Sequence, residues 1–211
     1  MASRARTTGG RTPGGPGRRR PEEAAMTTLQ TGTKLTYEEY LETPETMVRC
    51  EVVDGEVIVA GPSLYHQTIS GNINEPVRAF VRRNRLGRVF YAPVDVIVRR
   101  DPLRVRQPDL LFVSNERASI LGERIEGGPD LVVEIIPTSN TRAEIESRLA
   151  DYASLNVREC WLVYPQLHAV EVLRLEGGEW HRAYIRGAGE SVESAVLPGL
   201  ELQITEIFED A

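Results

Sequence analysis

Two short runs of this 211-residue chain place acids where acids can do chemistry: RQPDLLFV at 106–113 and GGPDLVVEI at 127–135. Each sets Pro-Asp ahead of an apolar run that reads as a buried strand. Glu134 stands inside LVVEII, where every neighbour is apolar. An unpaired carboxylate there is costly, so it demands a cation, either an arginine or a metal. Asp130 and Glu134 share a strand face but stand about 13 Å apart at ~3.3 Å per residue. Mg²⁺ takes its oxygens at about 2.0–2.1 Å, so those two acids cannot share one ion. Asp109 belongs to the preceding strand, and neighbouring strands run about 4.8 Å apart. Asp109 with Glu134 is therefore the candidate pair for Mg²⁺ or Mn²⁺, while Asp130 opens its strand. Taken alone, Asp109 could equally be a turn residue.

Further candidates surround the pair. Asp95, in APVDVIV, could join the same cluster or face solvent from an edge. Over 141–155 a helix is expected, with Ile145, Leu149, Tyr152 and Leu155 as its apolar stripe. Arg148 flanks that stripe and could reach the Glu134 face of the sheet. Glu144 fits a capping box with Thr141, and also an i,i+4 pair with Arg148. His66 falls on the core-facing side of an earlier helix, where it could relay a proton, order a water or simply pack. Arg82, Arg83, Arg85 and Arg88 could touch phosphates near a cleft or form a solvated helix end.

The elements that must position these residues are legible from periodicity. A short helix at 36–45 opens on Thr36 with Glu39 completing a capping box. A hairpin at 49–60 turns at Asp54-Gly55. Helical spacing over 63–84 contains Pro76, which predicts a kink or an interruption. Strands follow at 88–100, 108–113 and 129–136, then the 141–155 helix and a strand at 159–165. A hairpin at 169–187 turns at Gly177-Gly178, and the tail packs a last strand and a helical turn. This order predicts one α/β domain over 31–211 with a mixed central sheet.

Composition bounds the function. The net charge is −6, and residues 1–25 carry six arginines against Glu22 and Glu23, leaving −10 for 26–211. So acidic a body does not suit a protein that coats nucleic acid, but a nuclease site itself needs clustered carboxylates. The Arg/Gly/Pro-rich leader, 1–30, is expected to be disordered. It reads as a nucleic-acid-binding arm, a transit peptide or an over-long start; Met26 precedes an ordinary beginning, which favours the last. No apolar run approaches ~18 residues, so no membrane-spanning helix is expected. Cys50 and Cys160 stand singly, which suits reduced, buried thiols and a cytoplasmic protein.

The ordered blocks CEVVDGEVIVAGPSLYHQTISGNI, APVDVIV, QPDLLFVSNER, GPDLVVEIIPTSN, RLADYASLNVRECWLVYP and LPGLEL carry a resemblance. Across about 36–208 the chain resembles the Uma-family restriction endonucleases of the PD-(D/E)XK nuclease superfamily. The resemblance implies a restriction-endonuclease-like core: a helix, a three-stranded meander, a helix and a further strand, with β-hairpins added. It implies Asp109 as the motif aspartate, Glu134 as its second acid and Arg148 at the position of the family's basic residue. Glu51, His66 and Asp95 match positions that border the site. It also implies DNA as substrate, Mg²⁺ as cofactor and, for double-strand cutting, a homodimer.

Two departures stand out. Pro137-Thr138-Ser139-Asn140 replaces Ser-Pro-Ser-Thr, which alters a turn. Arg148 replaces a lysine, and an arginine cannot give up its proton to act as a general base. It can still hold a phosphate oxygen. Lys34 is the only lysine against 24 arginines, so a general shift toward arginine explains the swap as well as a lost activity does. Beside the metal-dependent endonuclease stand two rivals: an inactive binding or regulatory module whose acids survive as an ion-pair network, and a hydrolase of another phosphate ester.

Overall fold

The computed structural model describes residues 30–43, 49–59, 61 and 63–211, so the leader falls outside the described residues except for Gln30. Helix α1 (Tyr37–Leu41) precedes the hairpin β1 (Cys50–Val53) and β2 (Glu56–Val59), then the long α2 (Leu64–Asn84). Next come β3 (Gly87–Tyr91), β4 (Val96–Arg100), β5 (Leu103–Arg106), β6 (Leu110–Ser114), β7 (Leu131–Ile135) and α3 (Arg142–Ser154). The chain closes with β8 (Glu159–Tyr164), β9 (Ala169–Glu176), β10 (Glu179–Arg186), β11 (Ser191–Glu193), β12 (Glu201–Gln203) and α4 (Ile204–Ile207). The fold is mixed α/β, as the order of elements predicts.

A six-stranded central sheet runs β10-β9-β8-β7-β6-β3. Only β7 and β8 are parallel, and α3 supplies the crossover that a parallel pair requires. The strands alternate between two cores. Leu110, Phe112, Leu131, Val133, Trp161 and Val163 meet α2 through Ile69, Ile73, Val77 and Val81. Leu111, Val113, Val132, Cys160 and Leu162 meet α3 through Tyr152, with Ile145 and Leu149 packed alongside. Strands covered on both faces read as unbroken apolar runs, which is why the acid in LVVEI stands out.

A second sheet, β2-β1-β5-β4, is wholly antiparallel and packs on Tyr40 of α1. Its hairpin turns at Asp54 (φ 51°) and Gly55 (φ 83°), the two positive φ values a type I′ turn requires. Both predicted capping boxes, Thr36/Glu39 and Thr141/Glu144, are formed. The cysteines are free and buried. Among the described residues no helix is long and apolar enough to cross a membrane.

Three features differ from the sequence reading or add to it. Helix α2 runs through Pro76 without interruption. Its buried stripe, Ile69 to Val81, spans both sides of the proline and holds both halves on one sheet face, offsetting the lost hydrogen bond. The run 88–100 is two strands in two sheets rather than one. Ala92 N–H makes the last contact of the β3 side, to Asp109 O at 3.1 Å, and Pro93 has no N–H with which to continue. Finally, β5, hidden in PLRVRQPD, pairs with both β4 and β1. It carries Arg104 and Arg106 into the site.

Candidate active site

Leu110 pairs with Val133 across antiparallel β6 and β7. Continuing that register one step outward sets Asp109 opposite Glu134, on the face that α3 covers. Both are buried, 1 % and 2 % exposed. Asp109 Oδ2 accepts from Ile135 N–H at 2.7 Å, which fixes its rotamer against the neighbouring strand. On Oδ1 it meets His66 Nε2 at 3.2 Å and a short contact from Arg49 Nη1. Asp109 lies just before β6, at the strand end, so His66 from the opposite face can reach it.

Glu134 Oε1 accepts a hydrogen bond from the hydroxyl of the fully buried Tyr152. Its two guanidinium neighbours stand further off: Arg148 Nη1 at 3.6 Å from Oε1 and Arg49 Nη2 at 3.7 Å from Oε2. These are ion pairs without hydrogen-bond distance. Arg148 Nη1 instead bonds Glu51 Oε1 at 2.5 Å. Glu51 also takes Gln107 N–H at 3.2 Å and Arg106 Nη1 at 2.9 Å. Arg106 extends the network through Nε to Asp151 Oδ2 at 2.7 Å and Nη2 to Ser147 Oγ at 3.0 Å. Arg104 Nη1 reaches the other oxygen of Asp151 at 2.9 Å.

The environments drive the carboxyls apart. Burial pushes Asp109 up, but the His66 hydrogen bond, the Arg49 charge and the Ile135 N–H outweigh it and hold Asp109 below the ordinary value. At Glu134 burial dominates; the Asp109 charge adds to it, and Arg148 and Arg49 do not fully compensate, so its carboxyl is raised. Glu51 is buried too, yet Arg148 and Arg106 bring it below the ordinary value. Two acids on one face with separated affinities for a proton are a recurrent feature of catalytic sites, though ion-pair networks produce it as well.

The structure therefore brings Asp109, Glu134, Arg148, His66 and Glu51 together. Asp95 does not meet the pair. It precedes β4, and its oxygens face Gln107 Nε2 at 2.8 Å and Arg124 Nε at 3.6 Å. Only through Gln107, which also accepts from Cys50 N–H at 2.9 Å, does it touch the network. Asp130 is capped into the other end of the sheet by Ser114 N–H at 2.7 Å and Arg158 at 2.9 Å. Glu144 is the N-cap partner of Thr141, and Arg148 turns to Glu51 rather than to it. Arg82, Arg83, Arg85 and Arg88 are all exposed. Arg82, Arg83 and the C-cap Arg85 stand at the C-terminal end of α2, Arg82 about 24 Å along the axis from His66 at 1.5 Å per residue, and Arg88 lies in β3.

Sequence reasoning missed Arg49, the polar end of Tyr152 and the Arg106–Asp151 pair. For Tyr152 a signal existed: it lies four residues after Arg148, on the same helix face, opposite a strand acid that needed a donor. An open cleft lined by Lys34, Tyr37, Glu38, Asp54, Arg100 and Leu103 shares none of the clustered residues.

Mg²⁺ is commonly bound by one or two carboxylates plus waters and substrate oxygens. Asp109 and Glu134 fit that donor set in type and in cross-strand placement. Among the described residues no three His, Cys, Asp or Glu side chains converge as a metal group, and Arg49 lies against both acids.

No curated protein matches the chain. A solved structure from Anabaena variabilis ATCC 29413, described as "a putative nuclease belonging to DUF820", is similar at 19 % identity with a TM-score of 0.69. That likeness covers 82 % of this chain and 97 % of the other, and shows the shared fold. The profile of the Uma2 family, described as "Putative restriction endonuclease", matches residues 37–205, most of the sequence. The chain belongs to the Uma2 family.

Proposed function

We propose that this protein is an endonuclease that hydrolyses DNA phosphodiester bonds with Mg²⁺ or Mn²⁺, using the PD-(D/E)XK arrangement. The observation that carries the reading is the buried cross-strand pair, Asp109 opposite Glu134, with His66, Arg148 and Glu51 converging on it. Asp109 and Glu134 would hold the cation, which when bound supplies charge neutralisation and a more acidic water. Ile135 N–H and the Tyr152 hydroxyl fix one oxygen of each acid and leave the others to face the site. Arg148, held by Glu51, presents a fixed positive charge to a phosphate oxygen. It cannot serve as a base. His66 bonds Asp109 through Nε2, and its Nδ1 is buried with no partner among the described residues. That nitrogen is free to hold a water or move a proton. Free buried cysteines suit a reducing compartment such as the cytoplasm.

Incubation of supercoiled plasmid with Mg²⁺ or Mn²⁺ tests the reading. Nicking or linearisation is expected, stopped by chelator and by Asp109→Asn. Cleavage that survives Glu134→Gln would show that the site is elsewhere.

A second reading has its own observation. Asp109, Glu134, Glu51 and Asp151 are matched by Arg49, Arg148, Arg106 and Arg104. A network balanced in this way also suits an inactive binding module, for which neither metal uptake nor cleavage is expected.

A further inference from the structure

Arg49 is the member of the cluster whose contacts coincide with those the cation needs. Its Nη1 lies on Asp109 Oδ1, and its Nη2 faces Glu134 Oε2 at 3.7 Å while donating to Gln107 O at 2.7 Å. The guanidinium thus spans both acids at the oxygens that Ile135 N–H and the Tyr152 hydroxyl do not take. Among the described residues its remaining hydrogen bond is to one backbone carbonyl. Arg148 differs: withdrawn from Glu134, it keeps its bond to Glu51. Arg106 is anchored by Glu51, Asp151 and Ser147 together. Arg49 also stands just before β1, outside the strand ladder, so its side chain can move without disturbing a register.

Charge sets the direction. Four carboxylates already face four guanidiniums, so a divalent ion added beside Arg49 would leave an excess of positive charge in a buried site. Such an excess is expelled rather than tolerated. We propose that Arg49 is an exchangeable internal cation: it holds the Asp109–Glu134 pair together in the metal-free protein and leaves the pair when a divalent ion enters. The inference rests on the metal reading above and assigns to Arg49 the control of cation affinity. A pair closed by Arg49 about 90 % of the time lowers the apparent affinity about tenfold, because only the open fraction accepts the ion.

Two measurements test it. In the unmodified protein, Mg²⁺ is titrated while the guanidinium Nε–Hε resonance of Arg49 is followed by NMR, with Arg49→Lys providing the assignment. The resonance is expected to move in step with the calorimetric binding isotherm. In parallel, Arg49→Met, which keeps an unbranched apolar stem and removes the charge, is titrated with Mg²⁺ and Mn²⁺. About tenfold tighter binding is expected. Ion binding with an unmoved Arg49 resonance, or an Arg49→Met affinity equal to or weaker than that of the unmodified chain, overturns the exchange alone. Absence of binding in both proteins overturns the exchange and the metal reading together. If Arg49→Met does not fold, the resonance of the unmodified protein decides the matter.

Discussion

Arg106 is the keystone of the network, and Arg106→Met measures what the network contributes. The side chain is 5 % exposed, and its partners Glu51 and Asp151 are 7 % and 8 % exposed. Methionine retains much of the aliphatic volume but removes three hydrogen bonds, to Asp151, Glu51 and Ser147. Removing one partner from a buried ion pair costs about 3–5 kcal/mol. Here Glu51 retains Arg148 and Asp151 retains Arg104, which places the loss near the lower end, about 3 kcal/mol. For a chain of this size that lowers Tm by about 6–12 °C, at roughly 2–4 °C per kcal/mol. Arg104→Met is the control: Arg104 is 15 % exposed and its second partner, Asp54, is 55 % exposed, so about 1 kcal/mol is expected.

The assay is urea unfolding, with a lower midpoint at an unchanged slope showing a change of stability alone. The pH dependence adds a check on cause. Burial raises the Glu51 carboxyl, but Arg148 and Arg106 overcome it and hold the group below its ordinary 4.5. A lowered carboxyl contributes stability that is complete above its unfolded value and is lost as pH falls through the folded one. The gap between the unmodified protein and Arg106→Met should therefore be constant above about pH 5 and narrow in more acidic solution. A loss under about 1 kcal/mol, or one equal to that of Arg104→Met, would refute the claim that Arg106 holds a desolvated network.

Other outcomes follow from the same geometry. Burial and the Asp109 charge raise the Glu134 carboxyl, so ionising it costs the metal-free fold stability that a neutral glutamine does not. Glu134→Gln should raise Tm while Asp109→Asn, whose carboxyl is lowered, should reduce it; thermal melts near pH 7 and pH 4 should show the Gln advantage fading in acid. Gly128→Ala places a Cβ 2.0 Å from Leu155 O, a backbone atom that cannot swing aside. A loss of about 3 kcal/mol or more is expected, and urea midpoints would read it. Pro76→Ala restores an N–H inside continuous α2 and should stabilise by about 1–3 kcal/mol in the same assay; a neutral result would mean that the helix is already relaxed around the proline.

The alternation and punctuation of the sequence determined much of this protein. Strand-length apolar runs at 110–113 and 131–136 placed the central strands, the Asp54-Gly55 and Gly177-Gly178 pairs marked the hairpins, and Thr141 with Glu144 marked the start of α3. An acid in LVVEII declared itself by desolvation cost alone, and strand spacing selected Asp109 over Asp130 as its partner. Those signals are local, or need only one neighbouring strand.

What required the tertiary structure was everything carried between sheets. Val96–Arg100 reads as a continuation of β3, yet it pairs with β5 in another sheet, because the choice of partner strand is a long-range decision. Asp95 reads as one more acid among apolar neighbours, but the path after Pro93 delivers it to Gln107 and Arg124. Arg49 lies 60 residues before Asp109, and no periodicity marks it as the cation that Glu134 and Asp109 share. The sequence stated that the buried acids need a cation; only the packing of the two sheets set Arg49 and Arg148 beside them.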